Sequence, residues 1–161
     1  MENNKTLIIG LGNPILGDDG VGWVITQGLK DQLTSRADLE FDFLSLGGLS
    51  LMERLTGYQH VILLDSFSSG VRPIGEVISF PLDLIPDLSA GHSSSAHDTS
   101  LRNALNLGRS MKIDLPEDKN IIVVAVEANN TYDFSEDLSP KVAESVPIAV
   151  NMVKNLLPTI N

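Results

Sequence analysis

The chain has 161 residues, a formal net charge of −10 and no cysteine. We expect residues 1–161 to form a single domain, since this length is ordinary for one domain and suffices to bury a core. The lack of cysteine excludes disulfides, cysteine-ligated metals and a thiol nucleophile, and the acid excess argues against nucleic acid and anionic membranes as partners.

Two kinds of pattern alternate along the chain. Short apolar or alternating runs bounded by turn residues are typical of strands, and apolar positions three or four apart are typical of helices. In chain order the patterns predict strand 6–9, helix 20–33, strand 39–46, helix 49–55, strand 60–64, strand 76–80, helix 97–111, strand 120–126 and helix 140–157. No signal-peptide pattern or membrane-spanning run of ~20 apolar residues is found, so we expect a cytoplasmic location.

This alternation predicts a three-layer α/β sandwich, in which a mainly parallel, twisted sheet of about five strands lies between helices. After the initial His60 and Asn120, residues 60–64 and 120–126 are apolar throughout, as in a sheet covered on both faces. Residues 76–80 alternate and are typical of a more exposed edge strand. Residues 81–95, rich in Pro, Ser and Gly, predict a long irregular loop of the kind that is often functional.

Polar residues stand directly after the predicted strands. They are residues 13–19, Gly47-Gly48, Asp65 and Glu127. Parallel sheets bind ligands in the crevice beyond the carboxyl ends of their strands. We therefore expect these residues to converge on one edge of the sheet.

The first turn lacks the dinucleotide-binding fingerprint. Its pattern starts as G-x-G at Gly10, but Ile15 stands where the third glycine of G-x-G-x-x-G belongs. Asp18 and Asp19 would also repel a pyrophosphate at a helix N-terminus. No organic cofactor is therefore expected. Because adjacent side chains face different ways, we expect one of the two carboxylates to cap the first helix and the other to point into the crevice.

Histidine supplies the remaining candidate ligands. His60 opens a strand and is expected to be structural, whereas His92 and His97 flank residues 93–95, which are all serine. One imidazole with two carboxylates makes a mixed nitrogen and oxygen set suited to a divalent first-row metal. Three protein ligands leave positions open for water or substrate. A serine triad in this segment would lack the G-x-S-x-G elbow.

The residues Gly10–Gly22 (GLGNPILGDDGVG) closely resemble the N-terminal signature of the nickel–iron hydrogenase maturation endopeptidases. Asp65 after two leucines resembles the second acidic site of that family, and Ser95–Asp98 (SAHD) resembles its histidine segment. Leu138-Ser139-Pro140 is similar to its usual entry into the last helix. The resemblance spans nearly the whole chain, and the first motif is the most specific part of it.

The resemblance implies an endopeptidase that removes the C-terminal extension from the nickel-loaded precursor of a hydrogenase large subunit. It implies that Asp19, Asp65 and His97 are catalytic and bind the metal. The nickel is then carried by the substrate and bridges enzyme and precursor, acting as the recognition element. Weaker substrate contacts are expected at Asn13, Gly47, Gly48 and Glu127, and the enzyme is expected to be a monomer.

Two alternatives remain open. Peptidyl-tRNA hydrolase also begins with a strand and Gly-Leu-Gly-Asn-Pro, but its signature continues to a Tyr and a Thr-Arg-His-Asn segment that this chain lacks. The acidic charge also opposes tRNA binding. The second alternative is a non-enzymatic nickel-binding maturation factor that uses the same three ligands without cutting a peptide. Whether the metal polarises the scissile carbonyl, activates water or only positions the substrate is also open.

Overall fold

The computed structural model describes residues 3–45, 47–84 and 96–158, with the backbone alone for residues 3, 4 and 96–100. Five strands and four α-helices lie in these ranges. The strands are β1 (Asn3–Leu11), β2 (Leu39–Leu44), β3 (Tyr58–Phe67), β4 (Val77–Pro81) and β5 (Ile121–Glu127). The helices are α1 (Val21–Gln32), α2 (Gly48–Leu55), α3 (Ala96–Ser110) and α4 (Pro140–Leu156). None of these helices is long and apolar enough to cross a bilayer.

The five strands form one sheet in the order β2-β1-β3-β5-β4. β2, β1, β3 and β5 run parallel, and β4 is antiparallel to β5 at the edge. The predicted three-layer α/β fold with a mainly parallel sheet of five strands is therefore confirmed. The carboxyl ends of four strands meet at one side of the sheet, which we call the carboxyl edge, and the opposite side is the amino edge.

Both faces of the sheet are covered, because alternate residues of each central strand point to opposite sides. In β1, Leu7 and Ile9 join a buried cluster with residues of α2 and α3. Ile8, between them, joins a second buried cluster with residues of α1 and α4. This explains why the central strands read as continuous apolar runs.

An ionic cluster ties β2 to α2. The Arg54 guanidinium of α2 lies 2.8 Å from the Glu40 carboxylate and 2.5 Å from that of Asp42, both on β2. It also donates to the Tyr58 hydroxyl at 3.2 Å. The hydrogen bond from Tyr58, followed by that from Arg54, lowers the pKa of the Glu40 carboxyl against the opposing effect of burial. The cluster fixes the short helix that begins at the carboxyl edge.

Two sequence predictions about this edge are wrong. β3 does not end at Leu64 but continues through Asp65 to Phe67, because β5 runs beside it and Phe67 pairs with Glu127. Asp65 is therefore a strand residue, paired with Ala125, and not the first residue after a strand. Glu127 is likewise the last residue of β5 and not the start of a loop.

The predicted loop 81–95 is described only in its first part. Pro81 belongs to β4, and Leu82–Leu84 form a 3₁₀ turn. Residues 85–95 lie outside the described residues.

The start of α1 lies directly against the ends of β1 and β3. A Cβ added to Gly22 would lie 2.2 Å from the Leu64 carbonyl oxygen and 2.6 Å from that of Leu11. Both neighbours are sheet backbone, which cannot move aside without breaking strand pairing. Glycine at this position lets α1 pack closely against the sheet, so that the preceding turn Gly17–Gly20, which contains Asp18 and Asp19, lies near the carboxyl edge.

We expect Gly22→Ala to lower the free energy of unfolding by about 3 kcal/mol or more, at the upper end of overpacking effects. Gly28→Ala in the same helix is the matched control. Its added Cβ would lie 3.6 Å from Val150, so it should stabilise by about 0.4–1 kcal/mol through helix propensity and a less flexible unfolded chain. Urea unfolding, followed by the fluorescence of the single tryptophan Trp23, measures the change in unfolding free energy for both substitutions. Equal effects of the two substitutions would contradict this packing.

Candidate active site at the carboxyl edge

The two adjacent carboxylates of the first turn have different environments. Both belong to a 3₁₀ turn, Gly17–Gly20, between β1 and α1. Asp18 is fully buried, and its carboxylate accepts hydrogen bonds from the Ser139 backbone N–H at 2.7 Å and the Ser139 hydroxyl at 2.8 Å. Ser139 is the N-cap residue of α4. Asp18 therefore connects the first turn to the last helix.

The expectation that one of these carboxylates caps α1 is wrong. The N-cap residue of α1 is Gly20, which makes no side-chain capping bond. The 3₁₀ turn directs Asp18 towards α4 instead, where a buried charge finds two donors. A buried carboxylate needs such donors, since an unpaired one would be costly.

We expect Asp18→Ala to lower the free energy of unfolding by about 2–4 kcal/mol, because two hydrogen bonds to a buried charge are lost. Glu144→Ala, which removes an exposed acid of α4, is the control and should stay within about 0.5 kcal/mol of wild type. Urea titrations of the three proteins test this. If Asp18→Ala were as stable as wild type, the hydrogen bonds between Asp18 and Ser139 would make no net contribution to stability.

Asp19 faces the carboxyl edge. Its Oδ2 accepts from the Asn13 backbone N–H at 2.7 Å, and its Oδ1 lies 3.4 Å from the Ser66 hydroxyl, which donates to it. The side chain is half-buried. Gly12, at φ 110°, is needed here because a Cβ would lie 2.0 Å from the Asp19 carbonyl oxygen. The Asp19 carboxylate is thus fixed by the chain that leaves β1 and remains partly open to solvent.

Asp65 lies near the end of β3 and directly precedes Ser66, the residue that donates to Asp19. It is only 5% exposed, and its Oδ1 accepts from the Ser66 backbone N–H at 2.8 Å. Ser66 thus contacts both carboxylates, one through its amide and the other through its hydroxyl. Two of the three predicted metal ligands therefore lie at the predicted edge of the sheet, and their joint binding of a metal ion stays a prediction.

His97 is the second residue of α3. Its side chain lies outside what the structure describes, and so does all of His92. The convergence of His97 with Asp19 and Asp65 stays a prediction. Within the described part of the chain, no group of three His, Cys, Asp or Glu side chains could hold a metal ion. Two carboxylates could supply oxygen ligands for a divalent cation, and the rest of a coordination shell must come from elsewhere.

The four weaker candidates all lie at the carboxyl edge. The Asn13 side-chain oxygen accepts from the Ile15 N–H at 3.2 Å. Gly47 precedes α2 as its N-cap residue, and Gly48, at φ 60°, is its first residue. Glu127 is buried, and its carboxylate accepts from the Ser69 and Gly70 backbone amides at 3.0 and 3.1 Å and from the Ser69 hydroxyl at 3.0 Å. Substrate contact by these residues stays a prediction.

The contacts that two serines make with the acidic residues were not predicted from the sequence. Ser66 contacts both carboxylates, and Ser139 binds Asp18 across the fold. The position of Ser66 next to Asp65 was the only available signal for the first. No local pattern connects Asp18 with a residue 121 positions away.

The candidate site is separate from a cavity of about 320 Å³ at the amino edge. That cavity is lined mainly by the starts of β3 and β5 and by the end of α4, with His60 and Lys119 among its polar residues. None of the predicted site residues lines it. The carboxylate pair at the carboxyl edge is the better candidate, because open parallel sheets bind ligands there.

Comparison with known proteins shows similarity to hydrogenase maturation proteins. A model of the hydrogenase maturation protease family matches residues 25–156. Of the curated relatives, the hydrogenase expression/formation protein HupD of Thiocapsa roseopersicina is 23% identical over 153 residues, which is 95% of this chain and 67% of HupD. HydD of Wolinella succinogenes is 31% identical over 107 residues, 66% of this chain and 65% of HydD. The matches thus span about two thirds of each relative.

The fold has a similar counterpart among solved structures. The hydrogenase maturating endopeptidase HybD from E. coli superposes with a TM-score of 0.76 at 22% identity, covering 95% of this chain and 91% of HybD. The match extends over the whole sheet and its helices, so the architecture is shared although few residues are.

Proposed function

This chain belongs to the hydrogenase maturation protease family, and on that premise we propose that it removes the C-terminal extension from the nickel-loaded precursor of a nickel–iron hydrogenase large subunit. The family membership makes it a maturation endopeptidase. The observation that supports the finer proposal is that Asp19 and Asp65 both lie at the carboxyl edge, where each carboxylate accepts a hydrogen bond from Ser66. These are two of the residues that the motif resemblance marks as metal-binding.

We propose that Asp19, Asp65 and His97 contact the nickel ion that the precursor carries. Two carboxylates and one imidazole form an incomplete shell. The precursor supplies the ion and the ligands that already hold it. Docking through the ion then fixes one peptide bond of the precursor in the crevice, which is catalysis by positioning.

The residues around the pair have supporting tasks in this proposal. The Asn13 amide and the Ser66 hydroxyl hold the Asp19 carboxylate in one orientation. Asp65 is held by the strand itself and by the Ser66 amide. The site is thereby built on β1 and β3 and needs little rearrangement before the substrate arrives, which favours precise positioning.

The competing functions are weaker. Peptidyl-tRNA hydrolase is disfavoured because the family match is to hydrogenase maturation proteases and because the chain carries a net charge of −10, which opposes tRNA binding. A nickel-binding factor without peptidase activity would use the same ligands, and it differs from the proposed enzyme in leaving the precursor intact.

Mass spectrometry of the precursor after incubation with the protein separates these functions. The proposed endopeptidase shortens the nickel-loaded large-subunit precursor at its C-terminus. A nickel-binding factor leaves the mass unchanged, and a peptidyl-tRNA hydrolase ignores the precursor and hydrolyses peptidyl-tRNA. An intact precursor after incubation would refute the proposed function.

The free protein is expected to hold metal weakly. Three nitrogen and oxygen ligands at an open crevice give a less complete site than a closed four-ligand one. Elemental analysis of protein purified without added metal should therefore find far less than one bound ion per chain. Nickel or zinc retained at one ion per chain after dialysis against a chelator would instead indicate a hydrolase with a resident metal.

A further inference from the structure

The segment Tyr132–Asp137 exposes two aromatic side chains after β5. Tyr132 is 88% exposed and Phe134 is 86% exposed. A single exposed apolar residue is ordinary, but aromatic side chains kept together in water often mark an interaction site. We call Tyr132–Asp137, together with Ile15, the aromatic–acidic surface.

Ile15 extends this surface towards the candidate site. Ser135 donates its N–H to the Ile15 carbonyl at 3.0 Å, and Gly17 donates to the Ser135 carbonyl at 2.7 Å. The bridge between Leu16 and Ser135 is parallel, so Ile15 and Phe134, which precede the two bridged residues, lie beside each other. Ile15 is 46% exposed. Its amide binds the Asn13 side chain, and the Asn13 amide binds Asp19.

The segment is held in place at three points. Besides the Ser135 contacts, Asp18 donates its N–H to the Asn130 carbonyl at 2.8 Å, and its carboxylate holds Ser139. The aromatic residues therefore project from an anchored backbone. A surface that is ordered before binding loses less conformational entropy on association.

Charge indicates the chemistry of the occupant. Asp133 lies between the two aromatic residues in sequence, Glu136 and Asp137 follow them, and all three acids are exposed. In the described part of the chain, none of the three forms an ion pair. Unpaired carboxylates beside aromatic faces suit Lys or Arg side chains, which bind carboxylates and stack on aromatic rings. A second copy of this chain is disfavoured, because it would bring two acidic surfaces together.

We infer that the aromatic–acidic surface docks a segment of the hydrogenase large-subunit precursor in which Lys or Arg stands next to apolar side chains. The surface is linked to Asp19 through Ile15 and Asn13, so a protein whose peptide reaches Asp19 comes close to it. The identity of the partner rests on the proposed function. The surface would add affinity and orientation, while the carboxylate pair contacts the ion.

The test compares binding of the full-length, nickel-loaded large-subunit precursor from the source organism to four proteins. These are wild type, the double variant Tyr132→Ser with Phe134→Ser, the double variant Asp133→Asn with Asp137→Asn, and the control Met111→Ser. Met111 is also well exposed, at 65%, but follows α3 at the amino edge. Binding by surface plasmon resonance and processing kinetics are both measured, and circular dichroism checks the fold.

The aromatic double variant should raise the Kd for the precursor by about thirtyfold, the effect of removing an interface anchor. Its KM should rise with little change in kcat, because the side chains do not touch the reacting bond. Wild-type binding should weaken as the salt concentration rises from about 0.1 M to 1 M, because the screening length falls from about 10 Å to 3 Å. The double variant Asp133→Asn with Asp137→Asn should lose most of this salt dependence of the Kd. Met111→Ser should bind like wild type.

The outcomes separate the docking surface from the proposed function. If wild type cleaves the precursor and both double variants bind it equally well, the docking inference is overturned and the endopeptidase function stands. If wild type binds without cleaving, and the variants bind more weakly, the docking surface is supported and the proposed function fails. Absence of wild-type binding overturns the inference. So does a wild-type dimer in sedimentation analysis that the aromatic double variant abolishes.

Discussion

A precursor that lacks nickel is expected to remain uncut by this protein, whereas the same precursor loaded with nickel is shortened. In the proposed mechanism the ion joins the precursor to Asp19, Asp65 and His97, so its removal eliminates both recognition and positioning of the peptide bond. Positioning alone can contribute ~7–11 kcal/mol to lowering a reaction barrier. Its loss would reduce processing to an undetectable rate.

Free nickel in the buffer should not restore cleavage of the apo-precursor, because the ion must already be held by the precursor's own ligands. The measurement is the intact mass of nickel-free and nickel-loaded precursor after incubation with equal amounts of enzyme. A control precursor truncated at the processed end shows whether any further cut occurs. Efficient trimming of the nickel-free precursor would exclude the ion as a recognition element, even though the protein would still be a peptidase.

The second large effect is expected from Asp19→Asn. Asparagine keeps the size of the side chain and an oxygen that can accept from the Asn13 amide, so the fold should persist with a change in unfolding free energy within about 1 kcal/mol. The neutral amide is a much poorer metal ligand than a carboxylate. Processing should fall by more than about a hundredfold, since even loss of a residue that only orients a metal ligand costs 10–100-fold.

Asp18→Asn is the matched control for this substitution. It changes the neighbouring carboxylate, which binds Ser139 and faces away from the carboxyl edge. We expect it to lower stability and to retain processing in the folded protein.

A second matched pair of substitutions concerns histidine. His97→Ala should abolish processing. His60→Ala alters an exposed residue at the amino edge and should not. Full processing by a folded Asp19→Asn or His97→Ala protein would remove that residue from the proposed site.

The sequence predicted the architecture because the relevant signals are local. Apolar runs in β3 and β5 specify strands covered on both faces, and the spacing of apolar residues in α1 and α4 specifies the helices that cover them. Parallel strands then place their carboxyl ends at one edge by geometry alone. For that reason the location of Asp19 and Asp65 at the carboxyl edge could be predicted without knowledge of any contact.

Element ends were less predictable, because they depend on partners distant in sequence. β3 extends through Asp65 to Phe67 only because β5 lies beside it as far as Glu127. Strand ends are set by backbone pairing with a neighbour, and that neighbour is not visible in the residues of the strand itself.

The physical basis for the different roles of Asp18 and Asp19 lies in the tertiary structure. By residue type and spacing the two are equivalent acids at the start of a helix, and only the motif resemblance singled out Asp19. In the fold, the 3₁₀ turn directs Asp18 inward to Ser139, 121 residues along the chain, and leaves Asp19 at the crevice between Asn13 and Ser66. The sequence thus determined that a carboxylate would reach the site. Which carboxylate reaches it depends on a buried charge finding its donors in the last helix.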